Sequence, residues 1–433
     1  MWRTTHGYDS WASLVLPSPA PHIGHFSPIL GLVALVYLVV PDPETLLVVQ
    51  AAVLAASVVP LYLLTLHETG RANLSLLLSG AYLLNPGLHG LVRYDFHVEV
   101  FVPLFVFLLY YFRSKADFKL FSVALALLLT TIEFSAVIGI GIAVGLVLQK
   151  KRIDMFAITA GVSSGILLVT FLASDLSPTG LFGWHSNWLT GQLQGSASAS
   201  APGILGITAN MGSLLSAIEN DIVRKLLYLF LLLAPASLGI VKYPLRMLPS
   251  LPWIAIVLVS QRESFHSIDF QYSVFVIPFA CLAVIPLLQS VPTPRLTRSI
   301  LAAAVVLMVL SSALSPVRSV ILAPYPQPNW GPPSPALATL SLVKASLPAN
   351  ATILTQNDIF PQISNWPFAT LNYSSPVPPQ FILVKKDSPW YDWSSQNLGI
   401  PYSPHQQLDR FITRYKYEIV VSDQGVTLYR LLT

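Results

Sequence analysis

Residues 113–152 read RSKADFKLFSVALALLLTTIEFSAVIGIGIAVGLVLQKKR. Between the basic ends, positions 118–149 are almost wholly apolar and are interrupted near the middle by Glu133. A single membrane span takes about 20 residues, so this run is too long for one ordinary crossing. Arg113, Lys115 and Lys119 flank one end, and Lys150, Lys151 and Arg152 flank the other. Basic residues are retained on the cytoplasmic side, so both ends lie there. The run is therefore a hairpin of two short helices whose tip, with Glu133, faces outward.

The rest of the chain agrees with a lipid environment. Of 433 residues, 54% are hydrophobic and 10% charged, where a soluble protein carries roughly a quarter charged residues. Forty-four Lys, Arg, Asp and Glu side chains (24 basic and 20 acidic) cannot cover the surface of a water-soluble enzyme of this length. A net charge of +4, dispersed along the chain, gives no footprint for nucleic acid. The single cysteine, Cys281, excludes an intrachain disulfide and a thiolate metal cluster.

Further apolar runs suited to spanning lie at 44–66, 74–90, 98–112, 155–173, 222–241, 245–260, 270–288 and 298–315. With the hairpin they give an α-helical polytopic membrane protein of about 10 spans, some of them short. Arg71, Lys242/Arg246 and Arg295/Arg298 fall inside by the same charge rule, leaving 89–99, 174–221 and 261–269 outside. The early apolar run 29–40 would be about 18 Å long, against a hydrocarbon core of about 30 Å. It reads as an interfacial helix on the outer face, entered through Ser27-Pro28 and left through Pro41-Asp42-Pro43. This parity starts residue 1 outside, although Met1-Trp2-Arg3 carries no signal peptide and no preceding span, so a missing upstream segment is the expectation.

After about Ser315 the spans stop, and 16 of the 35 prolines lie in the remaining tail. The layout is then an outer loop and interfacial helix (1–43), a transmembrane helical domain (44–315), a Pro-rich linker (316–334) and a small extracytoplasmic α/β domain (335–433). In the last, 351–355, 381–384 and 417–421 read as strands, and 335–347 and 404–415 as helices. The sequons at Asn350 and Asn372 suit an outer location, although such short motifs are weak signals.

Four ionisable groups crowd into Arg93-Tyr-Asp95-Phe-His97-Val-Glu99 at the outer mouth of a span. On a helix, Asp95 and Glu99 would share a face, whereas His97 joins them only where the backbone is irregular. Two acids and an imidazole can bind a divalent cation, Mg or Mn, or divide base and charge-neutralising roles on a phosphorylated substrate. The plainer alternative is a helix cap with Arg93 as the ion-pair partner of Asp95. Glu133 is the second candidate, because an acid in an apolar hairpin has to be neutral, paired or facing water. A structural hydrogen bond from its protonated carboxyl is the rival reading.

A third outer cluster spans Gln261 to Tyr272. His266, Asp269 and Tyr272 could meet the first cluster, with Arg262 or Arg93 binding phosphate; ordinary pairs in a solvated loop would look the same. Of the isolated histidines His22, His25 and His185, His25 has the strongest claim because it immediately precedes the interfacial helix. Trp184, Trp188, Trp366, Trp390 and Trp393 read as interfacial or packing residues. The sequence contains no phosphate-binding glycine loop, dinucleotide fingerprint or serine-hydrolase elbow.

Several of these pieces in order resemble the prokaryotic membrane family called domain of unknown function 2079. They are His25-Phe-Ser-Pro-Ile29, Pro43 to Gln50, Pro60-Leu-Tyr62, Tyr94-Asp-Phe-His-Val-Glu99, Glu133 in its hairpin, Phe265 to Pro278 and Asn357 to Ile363. That family looks related to the C-type glycosyltransferases, polytopic enzymes that take sugar from a polyprenyl-phosphate carrier at the outer membrane face. In that superfamily an acid in the first outer loop commonly serves as base or metal ligand. Trp2-Arg-Thr-Thr-His-Gly7 is similar to the segment after that loop, so the usual acid is missing from this chain and Asp9 is only a weak substitute.

The resemblance implies a multi-pass protein of the plasma membrane and cell envelope that uses a polyprenyl-phosphate sugar and a glycan, lipid or protein acceptor. Asp95 and Glu99 would hold a metal or act as base. His97 and Arg93 would meet the phosphate, Glu133 would position the acceptor, and His25, His266, Asp269 and Tyr272 would contact substrate. Two rivals stay open. One is a transporter or flippase of a lipid-linked substrate, in which Glu133 lines the path; the other is a noncatalytic envelope protein whose tail binds partners.

Overall fold

The structure is a computed structural model. It describes residues 27–93, 95–150, 153–175, 218–260, 263–290, 335–356, 358–366, 368–370, 377–388 and 404–432, with isolated positions at 215, 299, 302 and 306. The expected span at 298–315, the linker at 316–334 and most of the loop at 174–221 fall outside these. The fold is mostly helical with a small C-terminal sheet. It divides into two compact units, one of residues 25–31 and 46–328, the other of residues 1–24, 32–45 and 329–433.

The chain enters through α1 (Leu30–Val39), followed by α2 (Pro43–Ala56) and α3 (Val58–Thr69). At the α2/α3 junction the Ser57 hydroxyl hydrogen-bonds the Leu54 carbonyl at 2.5 Å and lies 2.7 Å from the Tyr82 hydroxyl. Helix α3 ends at Gly70, whose left-handed φ of 67° lets its N–H reach the Leu66 carbonyl.

The apolar run 74–90 differs from expectation, because it is two helices, α4 (Ala72–Leu83) and α5 (Pro86–Arg93). Pro86 lacks an N–H, and the Asn85 side chain accepts the Gly87 N–H at 2.9 Å, so a helix starts here instead of continuing. After α5 comes a 3₁₀ turn at Val98–Val100 and then α6 (Phe101–Ser114).

The hairpin read from the sequence is present as α7 (Phe118–Leu129) and α8 (Phe134–Lys150), with Glu133 in the reversal. Asp117 caps α7 by accepting the Leu120 N–H at 3.0 Å. Asp154 caps α9 (Met155–Asp175) through the Ala157 N–H at 3.1 Å. Its other oxygen meets Arg113 at 2.5 Å, and that guanidinium lies 4.4 Å from the centre of the Phe156 ring. The base of the hairpin is thereby tied to its neighbours by a charge pair backed with a cation–π contact.

The helical unit continues through α10 (Ile222–Leu233), α11 (Ser237–Lys242), a 3₁₀ stretch at Pro244–Ser250, α12 (Leu251–Val259), 3₁₀ turns at Glu263–His266 and Gln271–Phe275, and α13 (Ile277–Ser290). Among the described residues, Pro43–Thr69, Ile222–Lys242 and Gln271–Ser290 are long and apolar enough to cross a membrane, by length and composition. Six other apolar helices are shorter, at 10–17 residues. The Gln271–Ser290 segment is 78% buried over its apolar window and forms the central pillar.

Small residues let these helices approach closely, as they do where apolar surface has no water to flee. A Cβ on Gly139 would lie 2.0 Å from the Ser164 hydroxyl, and one on Gly141 would lie 2.5 Å from the Pro249 Cα.

In the second unit, α14 (Pro335–Ser346), α15 (Phe360–Ile363) and α16 (Pro404–Arg414) accompany β1 (Ile353–Thr355), β2 (Ala369–Thr370), β3 (Phe381–Lys385), β4 (Tyr417–Asp423) and β5 (Val426–Leu431). The sheet order is β2-β1-β3-β5-β4. Strand β1 is parallel to β2 and β3, and β5 is antiparallel to β3 and β4. Leu340 and Val343 of α14 cover one face against Ile353, Leu383 and Leu428. Leu408 and Phe411 of α16 cover the other against Leu354, Ile382 and Tyr429.

The three expected strands and two expected helices are all present, and β2 and β5 are additions. The β4–β5 turn is Gln424-Gly425, both with positive φ (50° and 79°). Beyond the end of β1, buried Gln356 accepts the Lys385 N–H at 2.8 Å and donates to Asp358 at 2.8 Å, and Asp358 accepts the Ser388 hydroxyl at 2.6 Å. Strand β4 is an edge strand, and its register shifts between Ile419 and Val421.

Replacing Gly141 by Ala would push Cβ into the backbone of Pro249, at a cost of about 1–3 kcal/mol. Thermal unfolding in detergent should show a clear drop for Gly141→Ala. Gly165→Ala should show none, since an added Cβ there meets nothing within 4 Å.

Candidate functional site

Helix α5 ends at Arg93, and Asp95–His97 are in neither helix nor strand before the 3₁₀ turn at Val98. Irregular backbone in an apolar setting needs internal hydrogen-bond partners. Gln50, fully buried in α2, supplies two: its amide donates to the Leu91 carbonyl at 2.9 Å and accepts the His97 N–H at 2.8 Å. The His97 ring turns back, with Nδ1 2.8 Å from the Asp95 carbonyl oxygen.

This geometry corrects the expectation that Asp95 and Glu99 share a helical face. Asp95 precedes the helix and is exposed, whereas Glu99 lies in the following 3₁₀ turn and is only 3% exposed. His97 between them is extended (φ −135°, ψ 135°), so a four-residue spacing no longer means one face. No described residue donates a hydrogen bond to the Glu99 carboxylate, which sits at the start of the helix leading into α6. Partial positive charge at such a terminus favours a carboxylate.

The stretch from Phe265 to Phe275 packs directly against α5. A Cβ on Gly90 would fall 1.7 Å from the Ile268 carbonyl oxygen, and one on Gly87 2.7 Å from the Ser273 Cβ. The 3₁₀ turn holding Glu99 packs on the one at Gln271–Phe275 as well.

His266 is buried, with Nε2 3.0 Å from Asp221. Asp269 is half-buried and its N–H reaches the Ser267 hydroxyl at 3.3 Å. The Tyr272 ring stacks on Trp253 (centroids 5.0 Å apart, 27° between planes) and meets the edge of Phe265 at 4.8 Å. Its ring therefore packs in an aromatic cluster.

The hairpin tip joins the same stretch. Glu133 is half-buried, and the next residue, Phe134, places its ring 4.9 Å from Phe275 and 5.4 Å from Trp253. The Ile29 N–H donates to the Thr130 carbonyl at 3.1 Å, which fastens the segment after His25 to the tip. His25 itself, Arg262 and the side chain of Arg93 lie outside the described residues. Both the Asp95–Glu99 turn and the Glu133 tip thus border on the 265–275 stretch. Among the described residues, no group of three or more His, Cys, Asp and Glu is placed to hold a metal ion.

Three contributors were not singled out from the sequence. Gln50 braces the turn, Asp221 partners His266 and lies 3.7 Å from Arg224, and fully buried Lys225 donates to the Leu258 carbonyl at 3.0 Å. The cue for Lys225 was available, since a charge within the apolar run 222–241 marks a functional or structural partner by default. Gln50 gives no such cue, because a lone amide on an apolar helix has no distinguishing pattern.

Gln50→Leu leaves a buried carbonyl and a buried N–H unsatisfied, at about 1–3 kcal/mol each. Hydrogen exchange should accelerate across 91–99 and thermal stability should fall, while exchange in the α/β unit stays unchanged.

Comparison with curated proteins finds no match. A family model described as "Predicted membrane protein (DUF2079)" matches residues 1–428. With nearly its whole length matched, the chain belongs to this family of predicted membrane proteins.

Proposed function

We propose that the protein is a glycosyltransferase-like membrane enzyme that takes sugar from a polyprenyl-phosphate carrier at the outer face of the plasma membrane. The observation that carries this reading is the meeting of the Glu99 turn and the Glu133 tip on one stretch, Phe265–Phe275. The basic residues flanking the hairpin support an outward tip, and the same charge rule puts the α/β unit outside.

In the proposed reaction the acceptor hydroxyl oxygen attacks the anomeric carbon and the bond from that carbon to the lipid phosphate breaks. The phosphate leaves with the electron pair, and the acceptor proton passes to the buried Glu99 carboxylate. Glu133 orients the acceptor. His97 and Arg93 are assigned to the departing phosphate, where exclusion of water strengthens each favourable charge contact. His25, His266 and Asp269 complete the substrate contacts, and the acceptor is a glycan, a lipid or a protein.

The test is sugar transfer from a synthetic polyprenyl-phosphate donor by the full chain in lipid nanodiscs. Glu99→Gln should lower kcat by roughly 10²–10⁴-fold, the usual contribution of a positioned general base. Glu133→Gln should raise the acceptor KM more than it lowers kcat, and exposed Asp95→Asn should cost less than either. Donor flipping without transfer would assign a flippase, and neither activity would assign a noncatalytic envelope protein; both outcomes overturn the proposal.

A further inference from the structure

Helix α1 carries no charged or strongly polar residue from Ile29 to Val40. Val33, Ala34 and Tyr37 are buried, and they project from one side of the helix. Leu32, Leu35, Val36 and Val39, spaced three and four apart on the opposite side, are 55%, 60%, 48% and 80% exposed. Ten residues rise about 15 Å, half of a hydrocarbon core. The apolar side therefore cannot be explained as part of a crossing.

Both ends of α1 belong to the same side of the membrane by the charge pattern. Its start follows Ile29, whose N–H is bonded to Thr130 at the hairpin tip. Its end leads through Pro41-Asp42-Pro43 into the 27-residue apolar segment Pro43–Thr69, which finishes just before Arg71. Basic residues place Arg71 and both hairpin bases inside, so the tip and Pro43 are outside. A helix that begins and ends on one side, too short to cross, lies along the surface.

The other side of α1 is tied to the α/β unit through Asn365. The Tyr37 hydroxyl donates to the Asn365 side-chain oxygen at 2.7 Å, and the Asn365 amide donates to the Pro41 carbonyl at 3.1 Å. Asn365 therefore grips the helix by both its buried tyrosine and its exit. Burial, and then the neighbouring Asp42 carboxylate, push the Tyr37 phenol above its ordinary pKa, so the hydroxyl stays a donor throughout the physiological range. Phe368, three residues beyond Asn365, is 48% exposed and adds an aromatic of the kind found at membrane interfaces.

We propose that α1 lies flat in the outer headgroup region of the bilayer with Leu32, Leu35, Val36 and Val39 among the acyl chains, and that the Asn365 grip makes it the foot on which the α/β unit stands on lipid. The partner of this surface is the phospholipid itself, and the proposal does not depend on whether sugar is transferred.

The experiment is a spin-label scan of residues 31–40, one cysteine at a time in a Cys281→Ser background, with the full chain in phosphatidylethanolamine/phosphatidylglycerol nanodiscs. Labels at 32, 35, 36 and 39 should be relaxed by oxygen more than by a water-soluble nickel chelate, at a constant shallow depth of about 5–10 Å. Labels at 33 and 37 should be shielded from both. Depth that increases steadily along the helix, or greater access to the nickel chelate on the apolar side, would overturn the lipid contact. For the grip, Asn365→Leu and Tyr37→Phe should each speed hydrogen exchange at 359–370 and leave the depth at position 35 unchanged. Unaltered exchange in both variants would refute the grip even with the label depth as expected.

Discussion

One buried amide, that of Gln50, holds the geometry on which the candidate site depends. Asp95–His97, between α5 and the next helix, lie outside regular structure, and their backbone groups still need partners. Gln50 satisfies a carbonyl on one side of the break and an N–H on the other. With the two ends of the turn clamped six residues apart in sequence, Asp95 remains outside and Glu99 is carried inside. The acid that reaches the interior is therefore chosen by backbone satisfaction.

Close contact between neighbouring backbones does the remaining assembly. Gly90 admits the Ile268 carbonyl, and Phe134 brings the hairpin tip onto Phe275 and Trp253. The 265–275 stretch touches both, so it is the common wall of the two acidic segments. Its own polar members are committed in part to this role. His266 is bonded to Asp221, and the Tyr272 ring is stacked among aromatics.

Much of this was legible in the residues themselves. Basic residues on both sides of an overlong apolar run told the hairpin from a single helix, and alternating apolar residues in the tail told strands from helices. The break at Asn85-Pro86 was written in the sequence too, but a window measuring mean apolarity passes over one proline. The separation of Asp95 from Glu99 was not legible, since it depends on an amide more than 40 positions away. Strand β5 was hidden because Gln424-Gly425 lacks the Asn or Asp that ordinarily announces a two-residue hairpin turn.

The shift of register in β4 also shapes the exposed edge of the sheet. Ile419 and Val420 are 58% and 44% exposed on a strand that has no further neighbour in its sheet among the described residues. Such a margin invites intermolecular pairing, above all among molecules crowded in two dimensions. The irregularity between Ile419 and Val421 throws the free donors and acceptors out of step, and β2, at the opposite margin, has two described residues. Among the described residues, neither border therefore presents a long regular row of free donors and acceptors to another chain.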